Sequence, residues 1–186
     1  ADVGRTLKLV EPYLQLLLEE VDATGKALHD AGLTVRSFYM GGGTPTTLSA
    51  DQLDRLLTRC EQSLPLGDCI EYTVEAGRPD TITREKLAVL ARHNIGRISI
   101  NPQTMNQKTL EIIGRRHTVE ETKAAFLLAR ELGFDNINMD LIVGLPGEGK
   151  DEVEYTLQEI KKLDPDSVTA VSYTHLRAHE TEADLV

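Results

Sequence analysis

Short apolar runs at residues 35–40, 70–75, 96–100 and 136–143 each end in a polar or glycine-rich tip. An amphipathic helical pattern follows each of them, and a further apolar run opens at Ser167. Strand then helix, repeated every ~30–40 residues, is the signature of a parallel sheet built from right-handed crossovers. This rhythm excludes sandwiches and helical bundles, and it sends every strand tip to the same side of the sheet. In such folds ligands sit at the carboxyl ends of the strands.

The element pattern follows from local chemistry. Leu9, Leu14, Leu16, Leu17, Leu18, Val21 and Leu28 predict a helix over Leu7 to Ala31 with a broad apolar stripe, stopped by Gly32. Ser49 caps a helix to Ser63 that turns Leu53, Leu56, Leu57 and Cys60 inward. Thr83 caps the next, to His93, and Gln107–Gly114 is a short one. Thr118 with Glu121 forms a capping box for a helix to Leu132, and Asp151–Leu163 follows the fourth strand. Tyr39 and Tyr72 fall in strands and read as core; His29 and His93 fall near helix ends and read as surface groups facing the dipole.

The richest tip is Met40-Gly41-Gly42-Gly43-Thr44-Pro45-Thr46. Successive glycines at a strand end leave no Cβ between backbone and ligand, so the N–H and C=O groups become binding groups. Glu75, Gln103, Arg115 and Asp140 stand at or just beyond strand ends, or on the segment that follows. Asp140 lies inside the otherwise apolar run Ile137–Val143, where a carboxylate requires partners or a ligand. His117, after two arginines, reads as closing a helix N-terminus, with contact to substrate as the alternative.

The chain has 186 residues and a net charge of −10, which disfavours nucleic acid and anionic membranes as partners. No run of about 20 apolar residues is present to span a bilayer. Cys60 and Cys69 fit a reducing, cytoplasmic setting and match no metal-ligand spacing.

Taken in order, Gly41-Gly42-Gly43-Thr44-Pro45-Thr46, Val74-Glu75, Arg97-Ile98-Ser99-Ile100 with Gln103, Gly114-Arg115-Arg116-His117 and Asp140-Leu141-Ile142-Val143-Gly144-Leu145-Pro146 resemble the oxygen-independent coproporphyrinogen III oxidases. These are radical S-adenosylmethionine (SAM) enzymes. Val74–Asp80 with Ile100–Met105 is most similar to the coproporphyrinogen dehydrogenase branch. The resemblance covers Leu7 to Ala170. It implies an α/β fold, the partial (β/α) barrel of the radical SAM core. It also implies two cofactors, S-adenosyl-L-methionine and a [4Fe–4S] cluster that reduces it to a 5′-deoxyadenosyl radical. Gly42, Gly43 and Thr44 match the segment holding the amino-acid portion of SAM; Glu75, Gln103, Arg115 and Asp140 match further SAM contacts. The implied reaction removes hydrogen and CO2 from propionate side chains of a tetrapyrrole, leaving vinyl groups, with flavodoxin or ferredoxin as electron donor. The wider family also contains haem chaperones and methyltransferases, so the substrate is less fixed than the cofactor.

The resemblance breaks at both ends. The family's Cys-x3-Cys-x2-Cys loop follows its first barrel strand, and here the chain opens in the helix after that point. Residues 1–170 are therefore expected to be a radical SAM core fragment, incomplete at both ends, inactive and poorly stable alone, with no catalytic residue or metal ligand assigned in it. Residues 171–186 resemble the translation of a sequencing adapter and are expected to be a non-native tail; His175 and His179, four apart, are discounted as a metal pair for that reason. Gly144–Lys150 fits a nucleotide-binding loop by spacing, but Asp151 replaces the Mg2+-binding hydroxyl and Pro146 removes a donor. A metal-free barrel binding phosphate at the glycine turn is a further alternative.

Overall fold

The computed structural model describes residues 3–172. Helix α1 (Val3–Asp30) leads into β1 (Ser37–Met40), α2 (Ala50–Ser63), β2 (Glu71–Gly77), α3 (Arg84–Arg92) and β3 (Arg97–Ile100). Helices α4 (Gln107–Ile112) and α5 (Val119–Glu131), then β4 (Ile137–Val143), α6 (Lys150–Leu163) and β5 (Ser167–Ser172) complete it. The sheet is parallel throughout, in the order β1-β2-β3-β4-β5. An order without reversal, with right-handed crossovers, puts every crossover helix on one side, which is the curvature of a (β/α) barrel. Among the described residues β1 and β5 are the two edges.

Strand alternation gives the sheet two unlike faces. Towards the helices point Val74, Ala76, Ile98, Ile100, Ile137, Met139 and Leu141, none more than 2% exposed. They pack with Leu53 and Leu57 of α2, Leu87 and Leu90 of α3, Leu110 of α4, Phe126 of α5 and Ile160 of α6. The opposite face is polar from edge to edge. Ser37 Oγ donates to Glu71 at 3.0 Å, Arg97 Nη2 to Ser167 Oγ at 3.4 Å, and Ser167 Oγ to Asn138 Oδ1 at 2.8 Å. The in-register pairs Glu75–Ser99 and Asp140–Thr169 continue it. A lining of this kind suits a solvated or ligand-filled interior better than the packed layers of a closed barrel.

The capping expectations hold at Ser49 with Gln52, at Thr83, and at Thr118 with Glu121. Three readings change. The α1 stripe is narrower than its sequence suggests: Leu14 and Leu18 pack on Leu56 and Cys60 of α2, while Leu9 and Leu16 are exposed. Tyr39 is 57% exposed rather than core, because β1 is an edge strand and Tyr39 is on its polar face. His93 is no dipole-facing surface group. Its Nε2 lies 2.9 Å from Asp54 and its Nδ1 2.9 Å from Glu61, which clamps the end of α3 to α2.

Strand β5 pairs with β4 as far as Val143–Ser172, two residues into the stretch read as tail. Residues 173–186, with His175 and His179, lie outside the described residues.

Candidate functional site

The glycine tip of β1 is held from below. After Gly41–Thr44 the chain makes a 3-10 turn, Pro45–Thr47, and Thr46 is fully buried. Thr46 Oγ1 donates to Ala76 O at 2.6 Å and lies 2.6 Å from Thr81 Oγ1, on the matching turn Pro79–Thr81 that follows β2. Lys86 Nζ donates to the carbonyls of Thr46 and Thr81, at 2.5 and 3.1 Å. Burial lowers the pKa of this ammonium. The first two strand tips are thereby joined by hydrogen bonds that leave the glycines themselves free.

Above this floor lies a cavity of about 470 Å³. Gly42, Gly43, Thr44, Glu75, Gln103 and Arg115 all line it, so six of the seven residues singled out in the sequence meet in one place. Gly42 has φ +100°, open to glycine, and a Cβ there would meet nothing within 4 Å. Its N–H donates to Glu75 Oε2 at 3.3 Å. The other oxygen of Glu75 accepts from Asn101 Nδ2 at 3.3 Å. Gln103 reaches the cavity through a left-handed backbone, φ +67°, unusual for a residue with a side chain. That conformation is fixed by Gln103 N–H on Asp140 O at 3.2 Å and Ile142 N–H on Gln103 O at 2.8 Å. Arg115 follows the Gly114 turn (φ +70°) that ends α4, its N–H bound to Leu110 O at 2.9 Å.

Asp140 is the exception. It does not line this cavity; it lies half-buried on the polar face, where Asn138 Nδ2 donates to it at 2.6 Å. Burial first, then the charges of Glu75 and Asp140, push the phenol of Tyr39, on the same polar face, up.

The sequence reading missed Asn101, Arg78, Thr47 and Gly77, which also line the cavity. Asn101 was legible, since it lies two positions after Ser99 and strand alternation places both on the polar face. It is 8% exposed, and its Oδ1 has no partner, an arrangement that asks for a donor from a ligand. His117 lines the cavity, is 2% exposed and lies 3.2 Å from Pro102 O, while the N-terminus of α5 is capped by Thr118 with Glu121.

The residues fit one expected cofactor and not the other. An unpaired amide oxygen, a carboxylate, a guanidinium and bare glycine backbone around one cavity suit a zwitterionic amino acid bearing hydroxyl groups. A cluster needs thiolates, and the two cysteines cannot supply them. Cys60 is buried against α1 with its thiol pushed up to about 11, and Cys69 Sγ donates to Glu71 O at 3.1 Å. Among the described residues no group of three His, Cys, Asp or Glu could hold a metal ion. The nucleotide-loop spacing at Gly144–Lys150 makes no cradle: Glu148 accepts from Thr104 at 2.5 Å, and Glu152 takes the N–H of Gly149 at 2.8 Å.

A parallel (β/α) sheet with its ligand-shaped cavity at the strand tips defines an α/β barrel-type binding or catalytic core. The sequence profile of the radical SAM superfamily matches residues 5–160, and the chain belongs to that superfamily, whose members use SAM and a [4Fe–4S] cluster. It is 48% identical over 172 residues to the oxygen-independent coproporphyrinogen-III oxidase-like protein HemZ of Bacillus subtilis, covering 92% of this chain and 34% of that one. It is 36% identical over 164 residues to the heme chaperone HemW of the same organism, covering 88% and 42%. Among solved structures, coproporphyrinogen III oxidase (HemN) from Escherichia coli superposes with a TM-score of 0.81 at 30% identity, covering 89% of this chain and 38% of that one. The chain thus spans about a third to two fifths of the length of these relatives. No described helix is long and apolar enough to cross a membrane.

Proposed function

We propose that this chain is the SAM-binding core of a porphyrin-pathway radical SAM protein, acting on coproporphyrinogen III by oxidative decarboxylation of its propionates. The observation that carries the reading is the Glu75 carboxylate, fixed between Gly42 N–H and Asn101 in a cavity that also holds Gln103 and Arg115. Arg115 pairs with the carboxylate of the methionyl group through a bidentate fork. Glu75 accepts from its ammonium, and the backbone of Gly42 and Gly43 with Thr44 closes around it. Gln103, just past β3, completes the set within the cavity, and Asp140 on β4, outside its lining, is the candidate for the hydroxyl groups. Bound SAM, once cleaved by an electron from a [4Fe–4S] cluster, would supply hydrogen abstraction; this chain's residues would hold and orient it.

Calorimetry with SAM tests the assignment. Arg115→Gln and Glu75→Gln are each expected to weaken binding about tenfold or more, the range of a lost charge-assisted contact. Wild-type affinity in both variants sinks it.

A second reading is favoured by the likeness to HemW: a haem chaperone on the same core. Haem transfer by the intact protein without vinyl formation from coproporphyrinogen selects it. A flavodoxin- or ferredoxin-type electron donor and a cytoplasmic setting belong to the enzymatic reading; the two free thiols are in keeping with that setting. We also propose that the natural sequence departs from this one after Ala170. An independently prepared clone that carries the same codons beyond that point rules this out.

A further inference from the structure

A second cleft, of about 530 Å³, opens beside the cavity and is lined by Arg78, Asp80, Ile113, Gly114, Arg115, Arg116 and His117. Arg78, Arg115 and His117 line both, so the two adjoin. We propose that Arg78 and Arg116 form an anchoring subsite for carboxylate arms of the substrate, next to the SAM position; this rests on the reading given above.

The charge distribution is the first argument. The protein is acidic overall, with 30 Asp and Glu against 20 Lys and Arg. Arg55, Arg59, Arg84, Arg92, Arg97 and Arg130 each lie within 4.0 Å of a carboxylate. Arg78, Arg115 and Arg116 have no such partner among the described residues. Arg36, before β1, is likewise without such a partner among the described residues and lines neither cavity. Asp80, the carboxylate in the lining, forms no ion pair with the three. Guanidinium groups left unpaired in an acidic protein, and gathered at one cleft, are set to receive anions from outside.

Backbone anchoring is the second argument. Arg78 opens the 3-10 turn Pro79–Thr81, and its carbonyl accepts from Thr81 N at 3.0 Å and Thr81 Oγ1 at 2.8 Å. Arg116 lies between Arg115, bound back to Leu110, and His117, buried and bonded to Pro102. Both exposed side chains therefore rise from fixed points in the lining of one cleft. Ile113 is the one apolar side chain in this otherwise polar lining, beside which the hydrocarbon body of a carboxylate-bearing ligand would lie.

The test uses the full chain and coproporphyrin III, followed by fluorescence titration. Arg78→Gln and Arg116→Gln are each expected to weaken binding about fivefold, and together about twentyfold, the scale of exposed charge pairs acting jointly. Arg36→Gln leaves affinity unchanged, and SAM affinity by calorimetry stays within about twofold in Arg116→Gln and Arg36→Gln, neither of which lines the SAM cavity. Coproporphyrin tetramethyl ester, which has no free carboxylate, does not compete. Wild-type porphyrin affinity in the double variant, no coproporphyrin binding by the wild-type chain, competition by the ester, or equimolar displacement by inorganic phosphate each overturns the subsite. Arginine-dependent porphyrin binding by a chain that fails to bind SAM keeps the subsite and refutes the SAM assignment instead.

Discussion

Asn101 Nδ2 donates to Glu75 Oε1 at 3.3 Å across the tips of β3 and β2, while Asn101 Oδ1, on a residue only 8% exposed, has no partner. One amide thus orients a carboxylate and offers an acceptor of its own. Asn101→Ala is expected to weaken SAM binding about fivefold, the cost of one hydrogen bond and a loosened neighbour. Asn101→Asp is expected to weaken it further, since it sets a like charge beside Glu75. Calorimetry alongside a thermal melt checks both; unchanged affinity removes Asn101 from the site.

The glycine turn separates fold from ligand. Gly43 has no positive φ, and a Cβ there would meet nothing within 4 Å. Gly43→Ala is therefore expected to melt like the wild type and still lose about tenfold in SAM affinity, because the new methyl occupies ligand space. At Gly41 a Cβ would meet Tyr39 Cε1 at 2.3 Å and Glu75 Oε2 at 2.8 Å. Gly41→Ala is expected to act indirectly, by displacing Glu75 from the Gly42 N–H. A Gly43→Ala protein that binds SAM normally contradicts the close-approach argument.

Acid stability should carry the mark of Asp166. Burial opposes its ionisation, but the N–H of Ile137 at 2.7 Å and Arg130 at 2.8 Å outweigh it and hold the carboxyl below its ordinary range. A carboxylate depressed in the fold stabilises the protein above its unfolded pKa, about 3.9, and the contribution is lost as pH falls through the lower folded value. Asp166→Asn should lower stability at neutral pH and flatten its dependence on pH below about 4. Denaturant midpoints across that window measure it, and parallel curves for the two proteins reject the role.

The 186-residue chain contains two cysteines, on elements away from the cavity. It is expected to bind SAM and yet release no 5′-deoxyadenosine after anaerobic treatment with iron, sulfide and reductant. Product detected by chromatography means that thiolates assemble in a way this fold does not suggest.

Much of this was legible in the chain because it is local. Strand and helix periods, the caps at Ser49, Thr83 and Thr118, and the glycines after β1 are short-range properties of neighbouring residues. Gln103 was legible as a polar residue past a strand, but its left-handed φ of +67° was not, because β4 imposes it through Asp140 and Ile142. The core reading of Tyr39 failed for a similar reason: an apolar run does not reveal which strand ends up at the sheet edge.

The sequence by itself determined the class of fold, the order of its elements and six residues of the cavity, since strand tips in a parallel α/β rhythm must converge. Tertiary structure alone decided that Asp140 stands apart from that cavity, that Arg78 joins it, and that His93 bridges two carboxylates. Those outcomes depend on register between strands and on which groups remain unpaired after packing. Both are set by contacts between residues distant in the chain, and no local pattern encodes them.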